Sequence, residues 1–226
     1  MTAWFSTPGT TNRFRDRPDA GRRLASRLTT YAGRADVVVL GLPRGGVPVA
    51  AEIAAALGAP LEVFLVRKIG VPGHPELAMG AVATAGIEVR HDWLIRELAV
   101  SPAAVADAVA LERAELERRA QLYQGNRPMP DLHDRVAILV DDGLATGATM
   151  EAGIAALRTR GPNRIVVAAP VGARDTCRRL RAKADDLVCL LTPEPFSAVG
   201  LWYDDFSQTT DDEVRRCLRL ADLRRG

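Results

Sequence analysis

Two carboxylates, Asp141 and Asp142, stand side by side directly after the apolar run Val136-Ala137-Ile138-Leu139-Val140. They precede a segment of small residues and hydroxyls, Gly143-Leu144-Ala145-Thr146-Gly147-Ala148-Thr149. A short loop of this kind leaves backbone N–H groups uncovered. Where it opens a helix, the positive end of the dipole adds to them, and the combination binds phosphate. The acids cannot face that same anion, because like charges repel. They suit hydroxyls, a hard metal ion, or both. Phosphate, hydroxyls and a cation served within one turn is the chemistry of a ribose phosphate. The competing reading is a glycine–threonine turn with an acidic helix cap.

The elements on either side must place these groups. Val136 to Val140 is apolar throughout, as in a strand buried on both faces of a parallel sheet. Glu151 to Arg158 puts Ile154 and Leu157 on one helical face. A second strand–loop–helix junction lies upstream. Val37 to Leu42 reads as a buried strand, Pro43-Arg44-Gly45-Gly46-Val47 as the loop, and Pro48 to Leu57 as a helix stopped by Gly58. Two glycines after an arginine let backbone amides approach an anion; a plain tight turn is the alternative.

The run Val140-Asp141-Asp142-Gly143-Leu144-Ala145-Thr146-Gly147-Ala148-Thr149 resembles the signature of the type I phosphoribosyltransferases. Arg44-Gly45-Gly46 is similar to the diphosphate loop of several purine members. The resemblance covers most of residues 36–206. It implies a mainly parallel α/β fold with flanking helices, a small helical and hairpin insertion, and a C-terminal aromatic loop as a hood. It also implies phosphoribosyl pyrophosphate (PRPP) as substrate, Mg²⁺ as cofactor, a nitrogenous purine- or pyrimidine-like acceptor, and a homodimer. On this reading Asp141 and Asp142 hold the ribose hydroxyls and the metal. The loop from Gly143 through Ala145, Thr146, Gly147, Ala148 and Thr149 wraps the 5-phosphate, and Arg44, Gly45 and Gly46 take the diphosphate. Arg67-Lys68-Ile69-Gly70, with Pro75-Glu76 and Gly80-Ala81-Val82, is similar to a group of predicted members of unassigned substrate.

Leu61 to Val66 is the next buried strand. Arg67 and Lys68 are expected to emerge from it at the edge that holds Arg44 and Asp141, where two cations would neutralise a diphosphate. For Lys68 a solvated strand-end lysine is the alternative. Gly70, Pro72, Gly73 and Pro75 read as a loop able to act as a lid. Glu76 is placed to orient Lys68 or touch substrate; His74 reads as a surface histidine. Gly80–Thr84 and Ile87–Arg90 form a hairpin, and His91-Asp92 caps a helix from Trp93. Ser101-Pro102 opens a long helix to about Tyr123, whose Glu112 to Arg119 segment is a solvated face. After the central motif come a strand at Arg164–Ala169, a helix at Asp175–Ala182, a strand at Asp186–Leu191 and a last helix at Asp211–Leu223. One domain is expected, with its core at about 36–192, the helical insertion at about 91–130 and the hood at 193–226.

Two segments flank this core. Residues 1–18 read as irregular, with Thr7 to Asn12 as loop, and Asp19 to Tyr31 as a first helix. In Phe14-Arg15-Asp16-Arg17 a buried Phe14 between mutually paired charges is the favoured reading; the other sends Arg15 or Arg17 toward a phosphate. The stretch Pro193 to Phe206 carries Phe196, Trp202, Tyr203 and Phe206. Phe196 and Trp202 are the candidates for stacking on an acceptor base, against a role as core and cover. The resemblance places Asp204 on a metal-bound water. It also marks two departures: no lysine follows Pro170 where 6-oxopurine members read the base, and Ala145 replaces an acid found in several purine members. No acid–base residue is therefore assigned.

Composition narrows the classes. The 226 residues are 47% hydrophobic and 26% charged, with 30 basic and 28 acidic side chains and net charge +2. That balance offers no basic surface for nucleic acid. No apolar run approaches the ~18 residues of a membrane span, and the first residues lack a signal-peptide pattern. Cys177, Cys189 and Cys217 are odd in number and unclustered, which fits a cytoplasmic chain without a disulfide framework. Three functions are compatible: a phosphoribosyltransferase, a PRPP or nucleotide sensor on the same fold, and a phosphate-binding α/β protein of unrelated chemistry.

Overall fold

The computed structural model describes residues 13–125 and 129–224; the Thr7–Asn12 loop, part of the 125–130 linker and Arg225 lie outside them. In chain order the elements are α1 (Arg17–Ala25), β1 (Val37–Gly41), α2 (Gly46–Leu57), β2 (Leu61–Val63), β3 (Val66–Val71), β4 (His74–Ala83) and β5 (Ile87–Arg90). They continue with α3 (Asp92–Glu97), α4 (Pro102–Gln124), β6 (Val136–Val140), α5 (Ala148–Arg158), β7 (Arg164–Val171), α6 (Arg174–Arg181), β8 (Asp186–Leu191) and α7 (Asp211–Leu223).

The main sheet is all parallel, in the order β2-β1-β6-β7-β8. Every residue of β1 and β6 is buried, as uninterrupted apolar runs predict for strands covered on both faces. Alternation divides them. Val37 and Val39 join the core that holds Val49 and Ile53 of α2, and Val38 and Leu40 join the core that holds Met150 and Ile154 of α5. Register then levels the ends: Gly41 pairs with Val140, and Val140 with Ala168. From β1 the chain turns to β2 on one side, while β6 lies on the other. The crevice outside the carboxyl ends of β1 and β6 is the place where such sheets bind ligands.

The predicted strand Leu61–Val66 is divided. β2 stops at Val63, and the chain leaves for a separate antiparallel sheet, β3-β4-β5. Thr84 makes the exit: its Oγ1 accepts the Leu65 N–H at 2.8 Å, and its own N–H donates to the Leu65 carbonyl at 3.0 Å. The segment read as a lid is the β3–β4 hairpin, turning at Gly73, whose φ is +81°. The β4–β5 hairpin falls where predicted. α4 lies against this sheet through Val105, Val109, Leu116 and Tyr123.

Two further expectations are corrected. The first helix ends at Ala25, with a separate 3-10 turn at Thr29–Tyr31, and begins at Arg17 because Asp16 caps it (Asp19 N–H to Asp16 Oδ1, 2.7 Å). His91 takes the cap position of α3, but its Nδ1 lies 3.2 Å from the Ala78 carbonyl instead of capping.

Candidate active site

At the head of β6 each carboxylate is half used by the protein. Asp141 Oδ1 accepts the Asp142 N–H at 2.9 Å, and Asp142 Oδ2 accepts Arg17 Nε at 2.8 Å. Asp141 Oδ2 and Asp142 Oδ1 have no partner among the described residues. Two acceptors left open on adjacent residues match two neighbouring hydroxyls. Burial raises Asp141 well above the usual carboxylate range, and the Asp142 charge pushes the same way. Burial also raises Asp142, against the lowering pull of Arg17. The pair holds negative charge at a cost and is receptive to a cation.

The phosphate loop is shaped from outside. Thr176 Oγ1 donates to the Ala145 carbonyl and Arg179 Nη2 to the Thr146 carbonyl, each at 2.6 Å. Leu144 pairs with Gly172 in a parallel bridge. Gly147 sits at φ +72°, and a side chain there would lie 2.5 Å from Thr176. The N–H groups of Ala145, Thr146 and Gly147 have no acceptor among the described residues, and they stand at the N-terminus of α5. The carbonyls are tied down on one side and the amides left free, which is an anion cradle.

The Arg44 loop closes against the acids. A Cβ on Gly45 would lie 1.8 Å from Asp142 Oδ2, and one on Gly46 2.6 Å from the Val140 carbonyl and 2.9 Å from Asp141 Cα. Both glycines are required by that approach. The Arg44 and Gly45 amides also have no acceptor among the described residues. The Pro43–Arg44 peptide is cis. The Arg44 guanidinium faces away from the acids, 3.8 Å from Asp211 at the start of α7.

Arg67 and Lys68 both line a cleft that also takes in Thr149. They lie on β3. Arg67 pairs with Glu112 of α4. Lys68 lines the clefts beside α5, next to Ala148 and Thr149, and has no partner among the described residues. The side chain of Glu76 is outside the described ones. The charges of the Phe14–Arg17 run do not pair with each other: Arg15 goes to Asp19, Asp16 caps α1 and Arg17 goes to Asp142.

The hood is built by both ends of the described chain. Phe14 N–H donates to the Trp202 carbonyl at 2.9 Å and Asp204 N–H to the Phe14 carbonyl at 2.8 Å. Buried Phe14 and Tyr203 have ring centroids 5.4 Å apart. The Tyr203 hydroxyl donates to the Asp142 carbonyl at 2.7 Å, and burial pushes the phenol up, so it remains a donor. Phe196 and Trp202 are half-buried against this cluster. Asp204 pairs with Arg13 at 3.2 Å, and no group of three metal-ligating side chains forms among the described residues. Sequence reasoning does not single out Tyr203, Thr176 or Arg179 as site residues. Nothing in their local sequence distinguishes them, since each acts on a backbone carbonyl remote in the chain.

Residues 12–204 match the phosphoribosyl transferase domain family. The chain is 49% identical over 201 residues to a Mycobacterium tuberculosis protein named "Putative phosphoribosyl transferase", an alignment covering 89% of this chain and 45% of that one. It thus spans about half the length of the curated relatives that it matches over most of its own length. A shorter stretch of 82 residues, 36% of this chain and 38% of the other, is 33% identical to uracil phosphoribosyltransferase of Acinetobacter baylyi. The crystal structure of TT1426 from Thermus thermophilus superposes with a TM-score of 0.83 at 45% identity, covering 91% of this chain and 97% of that one. The chain belongs to the phosphoribosyl transferase domain family.

Proposed function

We propose that this chain transfers the 5-phosphoribosyl group of PRPP to a nitrogenous, purine- or pyrimidine-like acceptor and releases pyrophosphate, with Mg²⁺. The observation that carries the reading is the pairing of two open carboxylate oxygens with a cradle of free amides one turn away, at the switch point of the sheet. Asp141 and Asp142 take the ribose hydroxyls. Thr146, Gly147, Ala148 and Thr149 take the 5-phosphate, beside Gly143 and Ala145. The Arg44, Gly45 and Gly46 loop takes the diphosphate. Lys68 joins it from β3, and Arg67 anchors that strand.

Displacement at the anomeric carbon builds positive charge in the ring, and the acidic pair below favours it. Asp141 and Asp142 would hold Mg²⁺ through hard, partly buried oxygens. When bound, it would supply positive charge against the departing diphosphate. Asp204, held on the hood by Arg13, is assigned to its outer water. Phe196 and Trp202 line the acceptor side. A homodimer, a cytoplasmic location and the absence of a nucleic-acid partner belong to the same proposal. Net charge +2 supports the last, and no described helix is long and apolar enough to cross a membrane.

One observation favours a second reading. Ala145 leaves the loop without a titratable side chain, so the same site would serve a PRPP or nucleotide sensor that does not turn over. Calorimetry with PRPP and Mg²⁺, then pyrophosphate release across a panel of bases, decides. Saturable binding with base-dependent release supports the transferase, and binding without release supports the sensor. Asp141→Asn with Asp142→Asn abolishes PRPP binding in a folded protein; wild-type affinity in that variant overturns both.

A further inference from the structure

Arg17 is where three separate parts of the chain meet. It opens α1, its Nε donates to Asp142 Oδ2 at 2.8 Å, and its Nη1 donates to the Ser207 carbonyl at 2.7 Å. Its guanidinium lies 4.0 Å from the centroid of the Phe206 ring. Only 11% of the Arg17 side chain and 16% of the Asp142 side chain are exposed. A planar fork fixed on a carboxylate, a carbonyl and an aromatic face is pre-organised and has little freedom to leave. Asp142 Oδ2 is also covered from the other side, where Gly45 leaves no room for a Cβ. That oxygen is covered on both sides, and the Arg17 cation stands directly against the charge of the acidic pair.

We propose that Arg17 is a positioning residue of this site with two effects. It fixes Asp142 so that Oδ1 alone is the open acceptor, and it supplies a resident counter-charge that keeps free divalent cations off the acidic pair. Mg²⁺ is then bound only when PRPP brings further oxygens. The first effect and the need for PRPP rest on the phosphoribosyl-transfer reading; the exclusion of free cations does not.

The test uses wild-type protein, Arg17→Gln and Arg17→Lys. Unfolding midpoints are read with and without millimolar Mg²⁺ alone, and PRPP affinity is read by calorimetry with Mg²⁺. Wild type and Arg17→Lys are unmoved by Mg²⁺ alone, whereas Arg17→Gln is stabilised by it, because binding to the folded state raises the midpoint. PRPP affinity falls about 10- to 100-fold in Arg17→Gln, the usual cost of losing an outer-shell partner, and Arg17→Lys recovers only part of it, because a point charge does not reproduce the fork. A folded Arg17→Gln that ignores Mg²⁺ overturns the counter-charge, and one that binds PRPP like wild type overturns the positioning role. Saturable binding of Mg²⁺ alone to wild type overturns the counter-charge without any variant. If wild type does not bind PRPP, the proposed function fails while the Mg²⁺ comparison still decides the role of Arg17.

Discussion

Gly45 and Gly46 touch the acidic strand end in different ways, and replacing each with alanine separates stability from ligand binding. At Gly46 the new methyl meets main-chain atoms, the Val140 carbonyl at 2.6 Å and Asp141 Cα at 2.9 Å. Those atoms end β6, which is paired to β1 and β7, so they have nowhere to go. Overpacking of this kind costs about 1–3 kcal/mol. For a chain of this size that lowers the unfolding midpoint by roughly 3–10 °C. At Gly45 the methyl meets the tip of a side chain, Asp142 Oδ2 at 1.8 Å. The carboxylate turns away and breaks its 2.8 Å bond to Arg17. A hydrogen bond to a charged group contributes about 1.5–3 kcal/mol, or roughly 10- to 100-fold in PRPP affinity if the acceptor geometry goes with it. Calorimetry for PRPP and thermal melts of both variants form the assay. Gly46→Ala is expected to lose mainly midpoint, and Gly45→Ala mainly affinity. If both variants melt and bind like wild type, the two loops do not approach each other as described, and the site as drawn is wrong.

Three further outcomes are expected. Asp141→Asn stabilises the protein without ligand, because burial and Asp142 raise the Asp141 pKa. A raised carboxyl pKa means that stability is lost as pH climbs through the folded value, so the gain is small near pH ~4 and grows toward neutrality; melts that show no pH-dependent difference from wild type refute this. Tyr203→Phe removes the 2.7 Å bond to the Asp142 carbonyl and costs about 1 kcal/mol, read in chemical denaturation, with a several-fold loss of PRPP affinity. Lys68→Ala slows pyrophosphate release while leaving the midpoint unchanged, whereas Arg67→Ala lowers the midpoint by breaking its pair with Glu112; the reverse pattern would mean that the two roles are exchanged.

The strand–loop–helix course of both junctions is legible because local sequence sets it: an apolar strand ends in acids or glycines and the chain restarts as a helix. The division of Leu61–Val66 is not, since the run is apolar apart from Glu62 and the residue that breaks it, Thr84, is remote in the chain. Arg17 reads locally as a partner for its neighbours or a phosphate ligand, yet it faces a carboxylate, because a charge 125 positions away chooses for it. Arg67 and Lys68 read as a matched pair of cations and share a cleft with Thr149, but Arg67 is held by Glu112 of α4, a partner remote in the chain. Among the aromatics, Phe196 and Trp202 stand out for their place on the loop, yet Tyr203 is the one whose hydroxyl meets the acidic segment.

The bridge between Phe14 and Tyr203 bears on the order in which the protein becomes competent. A chain emerging from the ribosome presents β1, β6 and the phosphate loop well before residues 203–207 exist. At that stage Arg17 has no Phe206 to lie on, and Phe14 has no partner strand. Domains fold as units, and in this one the segment that carries Tyr203 and Phe206 reaches the acidic centre only after the main sheet has been made. Until then Asp142 lacks the hydroxyl of Tyr203 on its carbonyl, and its partner Arg17 lacks the Phe206 ring.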